Sequence, residues 1–566
     1  ENIINKENNI KDAKTLLSKL KNIKEQLKKS QKKGYKEYEY IRYMFGRHFN
    51  YLYDYIHQKA DKEEGIFVTQ FLKYITNNEI KKPSNEYKWK NHDLDEFHNI
   101  IYNLNEFIKK SLEPSHLDTK KIYSKSKLND NNCKGFYHYY CVDKLEKQLY
   151  QLNKYLTGKS PFAQNILLCH IDTSKEEIES FLNRAIFCKY NSCFMIGGIE
   201  FLEFEPKNYL IELLNEMISN YGEKMESCLI VLSFKNSDIS KSIEVIKNRK
   251  TFDDKISDEM KRYILDENDG INLYSSDKSG IGKSKAIEIL NEKNKYKYYF
   301  PLGGVFTREN IFNRLNELNI QKNSSIHLDL CDTDEIDLMN DFLFKFLILK
   351  SYWKNEDIFI LPKNVKIYIE IPNGFINFES KFQILTLIPK ECRVMISSEN
   401  LSTLIFEKKF GIDVQVVCNY LKLRKEKKID EVDLIFEDIT PDELWHVEKK
   451  ERKGKKEIKI EVSKIFKNAE KLAPEVCHKL IFDIFKEKVD EIPSYYQIIS
   501  FINILADQLK KFNKSYYLNA EELSSKPYKI LRSHIVEGFI DSTIYFTKAA
   551  YSKLINEQIQ THKIIR

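Results

Sequence analysis

The chain has 566 residues, room for three or four domains of ordinary size, and its 42% hydrophobic content is that of a globular protein with a substantial core. Its 91 basic residues against 84 acidic ones leave a net charge of +7, too even a balance to single out a nucleic-acid binder. No run of about 18 apolar residues and no signal peptide is found, so no membrane-spanning helix and no secretory leader are expected.

The ten Cys run from Cys133 to Cys477 without a CxxC pair, and the His are equally scattered, so the sequence offers no zinc constellation. Cys169, Cys193, Cys228 and Cys418 lie in apolar runs, where a reduced thiol packs as a small hydrophobe. A reducing, cytoplasmic setting is expected. Glu1 in place of an initiator Met suggests a segment of a longer protein.

In chain order, residues 1–33 read as one Lys-rich amphipathic helix. KEYEYIRYMFGRHFNYLYDYI (36–56) keeps apolar residues at helical spacing with aromatics on one face, which suits a packed core better than a stacking surface for bases. Helices continue through 91–112 and 143–156, so 1–157 is expected to be a helical N-terminal or linker region. From Asn165 the period changes. NILLCHID (165–172), SCFMIGGIEFL (192–202) and SCLIVLSF (227–234) are strand-length runs. Between them lie TSKEEIESFLNRAIFC (173–188), with Thr173 as N-cap, and a helix through NYLIELLNEMI (208–218). Strands and helices alternating in this way imply a parallel sheet. GKS at 158–160 is not a phosphate loop: it ends a helix, Pro161 follows it, and Asn153 stands where the first Gly belongs. Residues 158–255 are therefore expected to be a nucleotide-type unit without a phosphate loop.

A second unit spans 256–425. Strand INLYSS leads through DKSGIGKS into the helix KSKAIEILNEK, followed by KYKYYFPLG (295–303), the helix TRENIFNRLNEL (307–318) and SSIHLDL (324–330). Then come a helix DLMNDFLFKFLILKSYW (337–353), KIYIEI (366–371) and CRVMISS (392–398), with IDVQVVCNYL (412–421) beyond. Five strands alternating with helices, the phosphate loop after the first, is the AAA+ order. KKERKGKKEIK (449–459) reads as a solvated loop. VSKIFKNAEKL, EVCHKLIFDIFKEKV, SYYQIISFINILADQLKKF and IVEGFIDSTIYFTKAAYSKLI read as helices, so 426–566 is expected to be a lid. The expected fold class is α/β: AAA+ P-loop parallel sheets, the first degenerate, between a helical N-terminal region and a helical lid.

In a GxxxxGK(S/T) loop, backbone N–H groups wrap the phosphates, Lys neutralises the β/γ oxygens and the hydroxyl meets Mg²⁺. The candidate ATP-binding residues are Ser279, Gly280, Ile281, Gly282, Lys283, Ser284 and Lys285, with Asp277 in place of the first Gly. Asp329, ending the third strand, is the expected metal partner of Ser284. Hydrolysis asks for a Glu next to it, and Leu330 stands there. Glu370 is a second candidate acid, but on the fourth strand and followed by Ile371; Glu335 is a further alternative source of the missing carboxylate. No catalytic residue is assigned: ATP and Mg²⁺ are expected to be bound without turnover, and Leu330→Glu is expected to create it.

NLYSSDKSGIGKS, FPLGG, SIHLDL followed by DFLFKFLILKSYW, and KIYIEI together resemble the mysterin family of giant AAA+ RING-finger E3 ubiquitin ligases. So do IRYMFGRHF (41–49), LLCHIDTSKEEIESFLNRAIFC (167–188) and IPSYYQIISFINILADQL (492–509). The resemblance implies a dynein-like array of AAA+ modules in one polypeptide, whose second module holds ATP. It also implies neighbouring modules of the same chain as partners and ubiquitin machinery outside this segment, since no RING spacing occurs among the ten Cys. An active AAA+ motor that remodels proteins is the alternative.

Overall fold

A computed structural model describes residues 2–76, 89, 96–112, 134–141, 144–235, 237–246, 250–251, 259–266, 269–276, 282–291, 294–331, 333–372, 381–396, 412–436, 466–467, 469–490, 493–515, 518, 520 and 531–564. The N-terminal region is helical, with α1 (Asn2–Glu37), α2 (His48–Ile56), α3 (Lys62–Thr76) and α4 (Glu96–Leu112). The aromatic stretch at 36–56 is not one helix. A 3-10 turn at Tyr40–Tyr43 is parted from α2 by Gly46, whose φ of +52° a side-chain-bearing residue rarely adopts. Its rings nevertheless pack inward, Tyr43, Phe49 and Tyr51 against a core that includes Leu52, Phe67, Phe71 and Phe107.

The first α/β unit comprises β1 (Gly135–Cys141), α5 (Leu145–Thr157), β2 (Ile166–Leu168), α6 (Lys175–Ile186), β3 (Cys193–Gly197), α7 (Phe204–Tyr221), β4 (Cys228–Phe234), α8 (Asp238–Glu244) and β5 (Lys250–Thr251). Its sheet is parallel, in the order β2-β3-β4-β1-β5. Sequence reading expected three strands here and missed β1, the aromatic run GFYHYYC, together with the short β5. It also drew the unit's start at 158, whereas β1 and α5 both precede that point; Gly158, with φ +73°, is the left-handed cap that closes α5. The cap of α6 is Ser174, whose hydroxyl accepts from the Glu177 N–H. Thr173, expected in that role, accepts instead from the His170 N–H.

The second unit holds β6 (Ile271–Ser276), α9 (Lys283–Leu290), β7 (Lys297–Leu302), α10 (Arg308–Glu317), β8 (Ser325–Leu330), α11 (Ile336–Leu343), β9 (Ser351–Lys354), β10 (Asp357–Ile360), β11 (Lys366–Glu370) and β12 (Arg393–Ile396). Its main sheet, also parallel, runs β12-β6-β11-β8-β7. Numbered within the unit this is 5-1-4-3-2, and the first sheet repeats the same order. The helix expected over 337–353 stops early: α11 gives way to a π turn at Phe344–Ile348 and then to the antiparallel hairpin β9–β10.

The lid is built from α12 (Ile412–Glu426), α13 (Pro474–Val489), α14 (Tyr495–Lys514) and α15 (Arg532–Ile564), with a two-residue pairing of β13 (Ile435–Phe436) and β14 (Phe466–Lys467). Val416, Val417 and Tyr420 of α12 share one core with Ile481, Phe501 and Leu505, so the lid begins at 412 rather than 426. The helix expected over VSKIFKNAEKL is absent at its described residues, where Phe466–Lys467 is strand. The charged stretch at 449–459 lies outside the described residues.

One apolar core runs through both α/β units, from Tyr137 and Leu149 to Leu328 and Ile369. Polar ties span the same boundary. Lys154 donates to Asp266 (2.8 Å) and to the Ile264 carbonyl (2.7 Å). Asp341 is fully buried between Lys345 (2.9 Å) and His170 (3.0 Å), with Arg308 bridging it and Asp172. Burial opposes the charge on Asp341, but His170 and Lys345 outweigh it and hold the carboxyl below its ordinary range. The N-terminal region is seated on both units. Arg42 donates to the Phe187 carbonyl (2.6 Å), and His48 reaches Glu356 in the turn of the β9–β10 hairpin.

Candidate nucleotide site

The strand order decides which residues meet. In the second unit β11 lies between β6, which feeds the glycine-rich loop, and β8; Glu370 stands opposite Tyr274 on one side and Asp329 on the other. Alternation along parallel strands then puts His327, Asp329, Tyr299, Tyr368 and Glu370 on the sheet face that α9 covers. There Tyr274, Ala286, Ile287, Tyr368 and Ile396 form a small core of their own, against which Tyr495 at the start of α14 packs. The lid thus touches the helix that follows the loop.

Ser279, Gly280, Ile281 and also Asp277 lie outside the described residues. Gly282 precedes α9 with φ +103°, a conformation that favours glycine. Lys283 is buried and donates from Nζ to the Ile371 carbonyl at 2.7 Å. Burial lowers its pKa, against the pull of Glu370 and Asp329. The Ser284 hydroxyl donates to Glu370 Oε2 at 2.8 Å, and His327 Nε2 meets the same oxygen at 2.9 Å. Asp329 is near but otherwise engaged: its Oδ2 accepts from the Tyr299 hydroxyl on β7 at 2.6 Å. Its pKa is raised, chiefly by burial, with Glu370 adding to the rise and the Tyr299 hydroxyl countering it. Lys285 turns outward to Glu288 at 2.6 Å.

Of the described candidates, the structure therefore brings Lys283 and Ser284 together with Asp329 close by, and adds Glu370 and His327. Leu330 is fully buried in the large core on the opposite face. Glu335 caps α11 beyond the strand, its N–H bonded to Thr333. Gly303 of the FPLGG run lets β7 leave the sheet beside the turn after β8, since a Cβ there would sit 2.4 Å from the Cys331 Cβ.

The donor set suits a magnesium nucleotide. One ammonium and one hydroxyl open a helix, and carboxylates face them across adjacent strands. Among the described residues no three or more His, Cys, Asp or Glu side chains are grouped for a metal ion. Mg²⁺ bound with a nucleotide needs less than that, only one or two protein oxygens besides phosphate and water. In the first unit only residues 142–144 join β1 to α5, too few for a GxxxxGK(S/T) loop.

Parallel sheets flanked by helices, both in the 5-1-4-3-2 order, define an α/β protein of the AAA+ P-loop type. Residues 143–251 match the family described as the RNF213 AAA domain. The match covers α5 to β5, the unit without the phosphate loop. No curated protein matches the chain. Among the described residues no helix is long and apolar enough to cross a membrane.

Proposed function

We propose that the second AAA+ unit binds ATP with Mg²⁺ and keeps it unhydrolysed, so that the nucleotide acts as a fixed polyanion between core and lid. The observation that carries this reading is the pairing of Lys283 and Ser284, at the start of α9, with the Glu370 end of β11. Lys283 would neutralise the β/γ phosphates, and Ser284 would face the metal. Bound Mg²⁺ would supply charge neutralisation of the phosphate oxygens. The residue directly after Asp329, where a water-orienting carboxylate is asked for, is Leu330, whose side chain lies in the core on the opposite face of the sheet. The likeness of 143–251 to the RNF213 AAA domain supports placing the chain in an AAA+ segment of a giant E3 ubiquitin ligase of the mysterin type. In that setting it would sit in a dynein-like array, with ubiquitin transfer performed by regions outside these residues.

Nucleotide occupancy tests the binding half of this reading. A ligand that binds only the folded unit stabilises it by about 2.7 kcal/mol at a hundredfold excess over Kd. ATP should raise the melting temperature of the wild-type chain and leave that of Lys283→Ala unchanged. Equal nucleotide content and equal ATP-dependent shifts in the two proteins would defeat the reading.

A further inference from the structure

We propose that Glu370 on the fourth strand, not Asp329 on the third, is the carboxylate at the metal edge of this site, and that His327 is its positioning residue. The inference rests on the reading of the second unit as a magnesium-nucleotide site. Ser284 is the loop's metal-facing hydroxyl, and its bond goes to Glu370 Oε2 at 2.8 Å. His327 approaches that same oxygen at 2.9 Å, its Nε2–H donating to the carboxylate and fixing where it lies. Glu370 is itself buried and stands on the strand next to the one that feeds the loop, a full strand closer to Ser284 than Asp329 is. Asp329 is held from the far side by the Tyr299 hydroxyl on the outer strand, and its neighbour Leu330 carries no polar atom. The Ser284 hydroxyl and the Glu370 carboxylate thus set two hard oxygens side by side, the number a nucleotide-bound Mg²⁺ takes from protein.

The test is the affinity of the full chain for a fluorescent N-methylanthraniloyl ATP, measured with and without Mg²⁺. Wild type should bind more tightly with the ion. Glu370→Gln should bind the magnesium complex about tenfold or more weakly than wild type, with a wild-type circular dichroism spectrum and melting curve to show that it is folded. Asp329→Asn should keep the gain. His327→Ala should lose part of it, and His327→Gln, which retains an N–H donor at similar reach, should restore it. A gain that survives Glu370→Gln, or one that vanishes in Asp329→Asn, would overturn the assignment while leaving nucleotide binding intact. Should Glu370→Gln not fold, the Asp329→Asn result alone decides in the same way. Absence of binding in wild type would overturn both the assignment and the function on which it rests.

Discussion

At the scale of single residues, Leu330 shows how strand geometry limits what a substitution can do. Asp329 and Leu330 are consecutive on β8, so their side chains leave on opposite faces, and that of Leu330 is fully buried in the core shared by both units. The sequence-based expectation that Leu330→Glu would create turnover is therefore revised. A carboxylate there loses apolar packing and enters the core unpaired, and we expect a destabilisation of at least about 3 kcal/mol, read as a large drop in melting temperature. A stable Leu330→Glu protein that hydrolyses ATP would contradict the placement. His48 gives a pH-dependent case. Phe45 N–H donates to its Nδ1, so its proton sits on Nε2 and is donated to the Glu356 carbonyl at 2.8 Å. Burial lowers its pKa from 6.5 to about 4. A depressed pKa means that its contribution is complete above about pH 6.5 and is lost as the pH falls towards 4, at about 1.4 kcal/mol per pH unit. His170 acts in the same sense, while Glu146 and Glu177, raised to about 7 by burial, act in the opposite one. The difference between wild type and His48→Gln isolates the first: it should shrink between pH 6.5 and 4, and a difference constant over that range would contradict it. Lys283, Ser284 and Asp329 could be named as candidates from the sequence because their spacing is local to one loop and one strand. The bond from Ser284 to Glu370 was not, since it depends on β11 lying between β6 and β8, a fact of pairing that no linear spacing encodes.

At the scale of elements, two of the misreadings share a cause: aromatic-rich runs serve helix and strand alike. GFYHYYC, overlooked in the sequence, is the interior strand β1 between β4 and β5, although a seven-residue run of one Gly followed mostly by Tyr and Phe carried the signal. SYW (351–353) was read as the end of a helix but begins the hairpin that the N-terminal region grips, with Ile360 N–H bonded to Gln70 and Ile358 in the N-terminal core. The strands of the second main sheet, and β2, β3 and β4 of the first, were legible as apolar runs alternating with helices. In the lid, α12 was taken for an extension of the α/β core; its run IDVQVVCNYL shows no separate polar face, and in the structure Gln415 and Asn419 are buried beside Val416, Val417 and Cys418. The lid also has a distinct electrostatic fastener. Arg424 of α12 donates through two edges of its guanidinium, to Glu487 at 2.5 and 2.9 Å and to Glu537 at 2.6 and 2.8 Å. Bonds from Arg424 hold the Glu537 carboxyl down at about 2. Lys cannot reproduce a forked contact of this kind, so Arg424→Lys should lower lid stability by about 1 kcal/mol. Faster limited proteolysis within 412–564 is the expected readout, and an unchanged cleavage rate would count against the fork.

At the scale of the molecule, two sheets of the same order share one core, an N-terminal helical region rests on both, and a lid reaches the start of α9 through Tyr495. The buried group around Asp341 fastens the two units. Asp341→Ala would leave Lys345, 1% exposed, without its carboxylate, a loss of roughly 3–5 kcal/mol that should appear as a lowered melting temperature. Replacing the pair by Asp341→Leu with Lys345→Met should cost much less, and equal losses would show that the charges are not coupled. On the proposed function, this frame holds a nucleotide rather than spending it. The most direct test is the chemical state of the nucleotide after long residence: incubate the full chain with γ-labelled ATP and Mg²⁺, recover the bound fraction, and separate ATP from ADP. The structure leads us to expect intact ATP, with phosphate release no faster than from Lys283→Ala. Bound ADP, with release that vanishes in Lys283→Ala, would contradict the account.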